Sequence, residues 1–549
     1  MESQRSILII GLLLVSFLLW IEYQEAYGPQ PIESAEEIQQ QNTQNTESSD
    51  GFVPQADTSA LPQSLNTAET NAQRFVDVTT DTLHLTIDTI GGDVIATDLI
   101  KYPVTQGGDD AYQILTSEPA TLYIAQSGLI GNQGTDLQSG RAQYSVPQGT
   151  YALDNDKEQL IVPLSVVTKD GIQVTKSFTF TRGSHAIDVS YIVNNTTSQV
   201  AQVQQYSQLK QTLTERSEGS MFMPTYRGAA YSTLEDKYEK YTFSDIQDER
   251  LNIATQGGWV GMLEHYFVSA WVPPQNETNS IYSALSNNAA IIGYKGQTVN
   301  IPAGETTTLS SILYIGPKDQ GVLANIARGL DLTADYGILW WISQPLFALL
   351  KWIYGIVGNW GFAIIFTTII VKGAMYWLTK KQYESMAKMR ALQPKLQQLK
   401  DRFGDDKQKM SKGMMELYKK EKVNPMGGCF PMLLQMPIFM ALYWVLLESV
   451  ELRHAEFGLW ISDLSVRDPW FVLPILTGAS MFLLQRLQPM TIQDPMQQKI
   501  FQYMPVAMSI FFFFFPAGLV LYWLMSNIIT LVQAKIIYAS MEKRGLKTK

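Results

Sequence analysis

The sequence predicts a multi-domain membrane protein: an antiparallel β-sandwich outside the membrane, an α-helical membrane core of five spans, and one N-terminal anchor span. Three observations carry this expectation. The chain has 549 residues, 46% of them hydrophobic, yet its apolar runs crowd into residues 1–21 and the region from 338 onward. The polar middle alternates apolar and polar residues at period two, the pattern of half-buried strands. Lys and Arg gather in residues 380–422 and at the C-terminus, the asymmetry that orients spans across a bilayer.

The elements follow in order. Residues 1–23 are expected to form an anchor rather than a signal peptide: the apolar run 7–21 follows Arg5 and ends at Glu22, and no convincing small-residue cleavage site follows it. Residues 24–73 are rich in Gln, Asn, Ser, Thr, Glu and Pro, lack apolar clusters, and read as a disordered tether. Residues 74–335 form the sandwich, with strands expected at 83–87, 94–99, 160–167, 172–180, 186–192, 259–271 and 309–315 and a helical turn near 321–330. The one cysteine, Cys429, lies outside this domain, which therefore holds no disulfide.

Residues 336–358 are long enough to cross a membrane, but Ser343, Gln344, Pro345 and Lys351 interrupt them, and a crossing here would place the basic segment outside. They are expected along the outer interface as an amphipathic helix, with Trp340, Trp341 and Trp352 at headgroup level. A second span at 359–379 precedes a cytoplasmic helical hairpin at 380–424. Its apolar stripe comprises Met386, Met389, Leu392, Leu396, Leu399 and Phe403, with Pro394 as a kink, Gly404 as C-cap and Asp405 or Asp406 capping the return arm. Residues 425–540 supply the remaining four spans, at 430–447, 470–487, 500–515 and 518–538, and 541–549 form a basic cytoplasmic tail. The run 500–515 is short, and short spans thin the bilayer.

Lys372 sits inside the apolar run 360–378, which contains no Asp or Glu. A charge at mid-helix costs about 2.5–3.5 kcal/mol to insert, so such a lysine marks a wet functional site or a snorkelling helix end. The four histidines have no metal-ligand spacing, and no Walker loop, GxSxG or HExxH occurs; no cofactor or metal is implied. Glu264 and His265, adjacent in an expected strand, point to opposite faces and make no catalytic dyad. The later spans lack the central carboxylates of proton-coupled carriers. The reading is therefore non-enzymatic. A small-solute carrier with a receptor domain remains a weaker alternative.

Val423-Asn424-Pro425-Met426-Gly427-Gly428-Cys429-Phe430-Pro431, followed by Gln435-Met436-Pro437-Ile438-Phe439, resembles the signature of the YidC, Oxa and Albino insertases. Asp494-Pro495-Met496-Gln497-Gln498-Lys499 and Phe515-Pro516-Ala517-Gly518-Leu519 resemble it at matching distances, and the layout resembles the Gram-negative form. The resemblance implies a supersandwich-like periplasmic domain, an inner-membrane location with both termini cytoplasmic, and a hydrophilic groove with one positive charge. That charge falls on Lys372, where arginine is common. Thr368 and Gln435 match polar groove positions, Trp523 matches an aromatic substrate-contact position, and Ser526 and Asn527 follow on the last span. Met436, Phe439, Phe511 and Phe512 are expected to pack the core or to line a greasy slide. The implied partners are nascent membrane proteins, Sec translocon components, the ribosome through the hairpin and tail, and membrane lipids, with no sequence-specific nucleic acid. A Sec-associated scaffold that does not itself insert remains open.

Overall fold

A computed structural model describes residues 52–55, 73–137, 140–213, 225–404, 406–421, 430–487 and 495–543. The anchor, most of the tether, the segment 423–429 and Asp494 lie outside the described residues. The chain divides into two units at Ala334/Asp335.

The first unit holds a 10-stranded and an 8-stranded sheet, almost wholly antiparallel. They face each other across a core that includes Tyr123, Tyr191, Trp259 and Trp271. Side chains cross between the sheets: Tyr191 donates to Ser127 Oγ at 2.9 Å, and Gln205 Nε2 donates to Ser311 Oγ at 3.0 Å. The strands expected from alternation are present, except that the run 259–271 is two strands, Trp259–Leu263 and Phe267–Val272. Strands Tyr123–Ile130, Ala201–Thr212, Thr278–Ser286 and Ala289–Ile301 lay outside that reading. Strand Ala201–Thr212 hides because it is polar and buried on both faces: Gln204, Gln205, Gln208, Lys210 and Gln211 are all buried.

Two expectations are corrected in this unit. Glu264 and His265 lie in the turn after strand Trp259–Leu263 rather than within a strand, and Tyr112 donates to Glu264 Oε2 at 2.8 Å. The assigned tether is not uniformly free, since Phe52 and Val53 pack against the 10-stranded sheet. Two short helices, α1 (Phe243–Asp248) and α2 (Gln320–Ile326), complete the unit. Thr242 and Asp245 form a capping box on α1.

The second unit is helical: α3 (Trp340–Val357), α4 (Trp360–Ala374), α5 (Tyr376–Ala391), α6 (Gln393–Phe403), α7 (Lys407–Lys420), α8 (Phe430–Glu448), α9 (Val472–Leu487), α10 (Pro495–Phe511) and α11 (Ala517–Lys543). One face of α3 buries Phe347, Leu350 and Ile353 in a core shared with α4, α8 and α11, while Trp340, Trp341 and Trp352 stay exposed. This is the amphipathic division its sequence implies. Asn359 caps α4 by accepting from the Phe362 amide, and Asp468 secures the start of α9 by accepting from the Leu473 amide at 2.7 Å.

The sequence carries the α4 helix on to residue 378. In the structure it stops at Ala374, and the chain bends by 60° into α5. Pro394 likewise does more than kink its arm: helix α5 ends at Ala391 and α6 begins at Gln393, with Pro394 in its first turn, where a missing N–H costs no hydrogen bond. Asp406 caps α7, and Lys395 meets Glu421 at 2.5 Å between the arms. Residue Gly404 ends α6 in right-handed rather than left-handed geometry.

By length and apolarity α11 is the one described helix able to cross a bilayer, joined by the bent pair α4 and α5 if that counts as one span. The apolar part of α8, together with α9 and α10, is shorter than a full span.

Candidate functional site

The site is built where α4 ends. Thr368 and Lys372, one turn apart on α4, line a small open cleft with Val371, Met375, Gln435, Ile438 and Tyr522. Thr368 turns its hydroxyl back onto the Ile364 carbonyl at 2.6 Å, so its methyl group and the lysine stem meet the cleft. Lys372 is 7% exposed, and its Nζ donates to Thr530 Oγ1 at 3.3 Å. Among the described residues no carboxylate forms an ion pair with it. Lys372 lies in the last turn of α4, where the helix dipole favours a positive charge by about 0.3–1 kcal/mol.

Helix α11 holds Lys372 from the opposite side. Gln533 Nε2 donates to the Lys372 carbonyl at 2.9 Å, and Thr530 passes its own hydroxyl hydrogen to Ser526 O at 2.7 Å while accepting from Lys372. Positions 526, 530 and 533 fall on one face of a helix, so a polar stripe in an apolar span was readable in advance. The sequence reading took Ser526 from that stripe and missed Thr530 and Gln533. It also missed Tyr522, the aromatic that lines the cleft.

Trp523 is placed elsewhere. Its ring stacks on Phe439 at 5.7 Å between centroids and packs against Phe512 at 4.3 Å and Phe515 at 5.3 Å. The indole N–H is buried with no acceptor among the described residues. Asn527 donates to Ser480 Oγ at 3.0 Å, tying α11 to α9 rather than facing the cleft. Of the residues expected to form a slide, Met436 is 52% exposed, Phe512 is buried in the core, and Phe439 and Phe511 pack half-buried against it.

The far end of α4 is closed by the segment between α8 and α9. Leu464 and Val466 carbonyls accept from the amides of Gly518 and Ala517 at 2.9 and 2.7 Å, satisfying the first turn of α11, and Asn359 Nδ2 donates to Glu456 and Phe457 carbonyls. Phe457 lies against Gly361, where a Cβ would come within 2.0 Å of its ring. The cleft thus sits at the end of α4 away from this cover.

Residues 75–349 match the family described as YidC periplasmic domain, and residues 352–544 match 60Kd inner membrane protein. A relative from Pseudoalteromonas atlantica, described as membrane protein insertase YidC, is 61% identical over 553 residues, covering 100% of each chain. The chain belongs to the YidC family of membrane protein insertases. Another YidC, from Shewanella halifaxensis, is 53% identical over 552 residues, again with 100% of each chain covered. A solved YidC structure, titled as an active insertase with its first transmembrane domain resolved, aligns with 85% of this chain and 93% of that one at 17% identity and a TM-score of 0.38. As a YidC-family chain, this is an inner-membrane protein with a periplasmic β-sandwich domain and a helical C-terminal region.

Proposed function

We infer that this protein inserts nascent membrane proteins into the inner membrane without covalent chemistry, using Lys372 as an electrostatic waypoint for acidic client tails. The observation that carries this is a buried ammonium in a cleft, hydrogen-bonded to a neutral hydroxyl and lacking a carboxylate partner among the described residues. A client carboxylate at about 4 Å gains on the order of 4 kcal/mol at an effective dielectric near 20. Inserting a carboxylate costs about 2.5–3.5 kcal/mol, so the two terms nearly cancel and an acidic tail can pass halfway. The client's apolar segment then moves into lipid, gaining about 0.8 kcal/mol per buried CH₂. Thr368, Gln435 and Tyr522 line the waypoint beside the lysine, and Met436 offers an apolar exit surface.

The topology that fits this role has the N-terminal anchor crossing first, the sandwich in the periplasm, and α3 lying on the outer interface. Five spans then follow: α4, α8, α9, α10 and α11, with both termini cytoplasmic. Its support is the basic character of residues 380–422 and of the tail, against an acidic segment at 448–468. The hairpin of α6 and α7 is the receiving surface for the ribosome and the nascent chain. Sec translocon components and lipids complete the partners.

The test is insertion by the purified protein alone in liposomes. Protease-protected, correctly oriented single-span clients are expected. Solute uptake without insertion would instead support a carrier, and insertion only with added Sec components would support a scaffold.

A further inference from the structure

The 10-stranded sheet holds a fixed donor that reaches a distant piece of backbone. Ser127 points to the second sheet, where Tyr191 donates to it, so its neighbour Gln126 faces the other way, as does Gln208, its cross-strand partner. Gln208 is completely buried, and its amide is held by neighbours: Tyr282 donates to Oε1 at 2.7 Å, and Nε2 donates to Gln126 Oε1 at 2.9 Å. Gln126 in turn donates to Asp93 at 2.7 Å. Nε2 also donates to the carbonyl of Phe52 at 3.1 Å. Gly293 pairs with Gln208 on one side and with Tyr282 on the other; a Cβ there would lie 2.8 Å from the Tyr282 ring, so only glycine lets that ring reach across to the amide.

The segment Phe52–Gln55 fills the surface this network frames. Phe52 packs on Tyr282, Ala284 and Ile291, Val53 is 8% exposed against Ile130 and Tyr206, and Lys295 Nζ donates to the Gln55 carbonyl at 3.4 Å. Both polar contacts go to backbone carbonyls, and both specific contacts are apolar and adjacent. Pro54, buried beside them, gives up an N–H that the groove does not use and limits the freedom lost on docking.

We propose that this outward face of the sheet is a peptide-binding groove for extended segments carrying two adjacent apolar residues followed by proline, and that residues 52–55 are its resident ligand. The groove reads an extended backbone and a greasy pair rather than an individual side chain. A ligand on the same chain meets its site at an effective concentration of about mM, so moderate intrinsic affinity keeps the groove filled.

The experiment uses the full chain in detergent micelles and a fluorescent peptide of residues 50–57, read by anisotropy. The double variant Phe52→Ser, Val53→Ser vacates the groove, and we expect it to bind the peptide at least tenfold more tightly than the unaltered chain. A peptide of the same composition with Phe and Val separated by glycine should bind the double variant at least tenfold more weakly. Lys295→Ala, a surface change that spares the core, should weaken binding several-fold in the double variant. Equal binding by the unaltered chain and the double variant, no binding by the double variant, or equal binding of the two peptides would each overturn the proposal.

Discussion

Removing the Lys372 charge tests the insertion mechanism most directly. In Lys372→Met the stem's volume is nearly kept, the cleft with Thr368, Gln435 and Tyr522 stays lined, and the hydrogen bond to Thr530 is lost. At about 4 Å and a dielectric of about 20 the client contact is worth about 4 kcal/mol. Without it, the insertion penalty of about 3 kcal/mol for one carboxylate stands alone, which slows passage by about two orders of magnitude. The assay is protease-protected insertion in liposomes of two otherwise identical single-span clients, one with a single Asp in its translocated tail and one with Asn there. Lys372→Met should slow the Asp client about 100-fold and the Asn client by less than about threefold, while Lys372→Arg should insert both. Equal loss of both clients would mean that the variant damages the fold or that the charge serves another purpose. Normal insertion of the Asp client would refute the electrostatic argument.

Three further outcomes follow from the geometry. Asp468 is 2% exposed and accepts from the Trp470 and Leu473 amides and from the Trp460 indole, so Asp468→Ala should lower stability by about 2 kcal/mol, with Asp468→Asn milder, as measured by denaturation in micelles. Burial, with a smaller push from Lys101, lowers His185 from 6.5 to about 4, against an opposing pull from Asp81. The unfolded chain therefore binds this proton first, and stability should fall by at most about 3 kcal/mol as pH drops from about 6.5 to 4. His185→Phe should flatten that part of the profile, and an unchanged slope would assign the acid sensitivity elsewhere. Lys176, with no exposed surface, ties the second sheet to the Gly91, Gly92 and Ser127 carbonyls of the first, so Lys176→Met should destabilise the sandwich by about 3 kcal/mol in urea titrations followed by tryptophan fluorescence. A more stable Lys176→Met chain would show that burying the ammonium costs more than its three contacts return.

Period-two alternation located the strands whose faces divide cleanly between core and solvent, such as Gln173–Thr181, where buried and half-exposed residues alternate. It missed Ala201–Thr212 because a strand buried on both faces by hydrogen-bonded glutamines has no apolar signature. In the helical unit, Lys372 and Thr368 stood out as polar groups in an apolar run, and the cleft unites them with Gln435. Trp523 illustrates the limit. Neighbouring positions on a helix differ by about 100°, so a motif names the turn, while packing decides whether Tyr522 or Trp523 faces the cleft.

Composition and charge order alone established a sandwich followed by apolar helices, because burial periodicity and the charge distribution are local properties of the chain. They also singled out Lys372, since a lone charge among apolar residues is visible without coordinates. Which groups surround that charge was a matter for the tertiary structure: Thr530 and Gln533 lie more than 150 positions away, and the bend after Ala374 moves the lysine to a helix end. The same holds for Phe52–Gln55, whose place on the sheet depends on a donor at Gln208, 156 positions distant. Contacts between residues so far apart in sequence arise only when packing closes the intervening chain, and no local pattern records them.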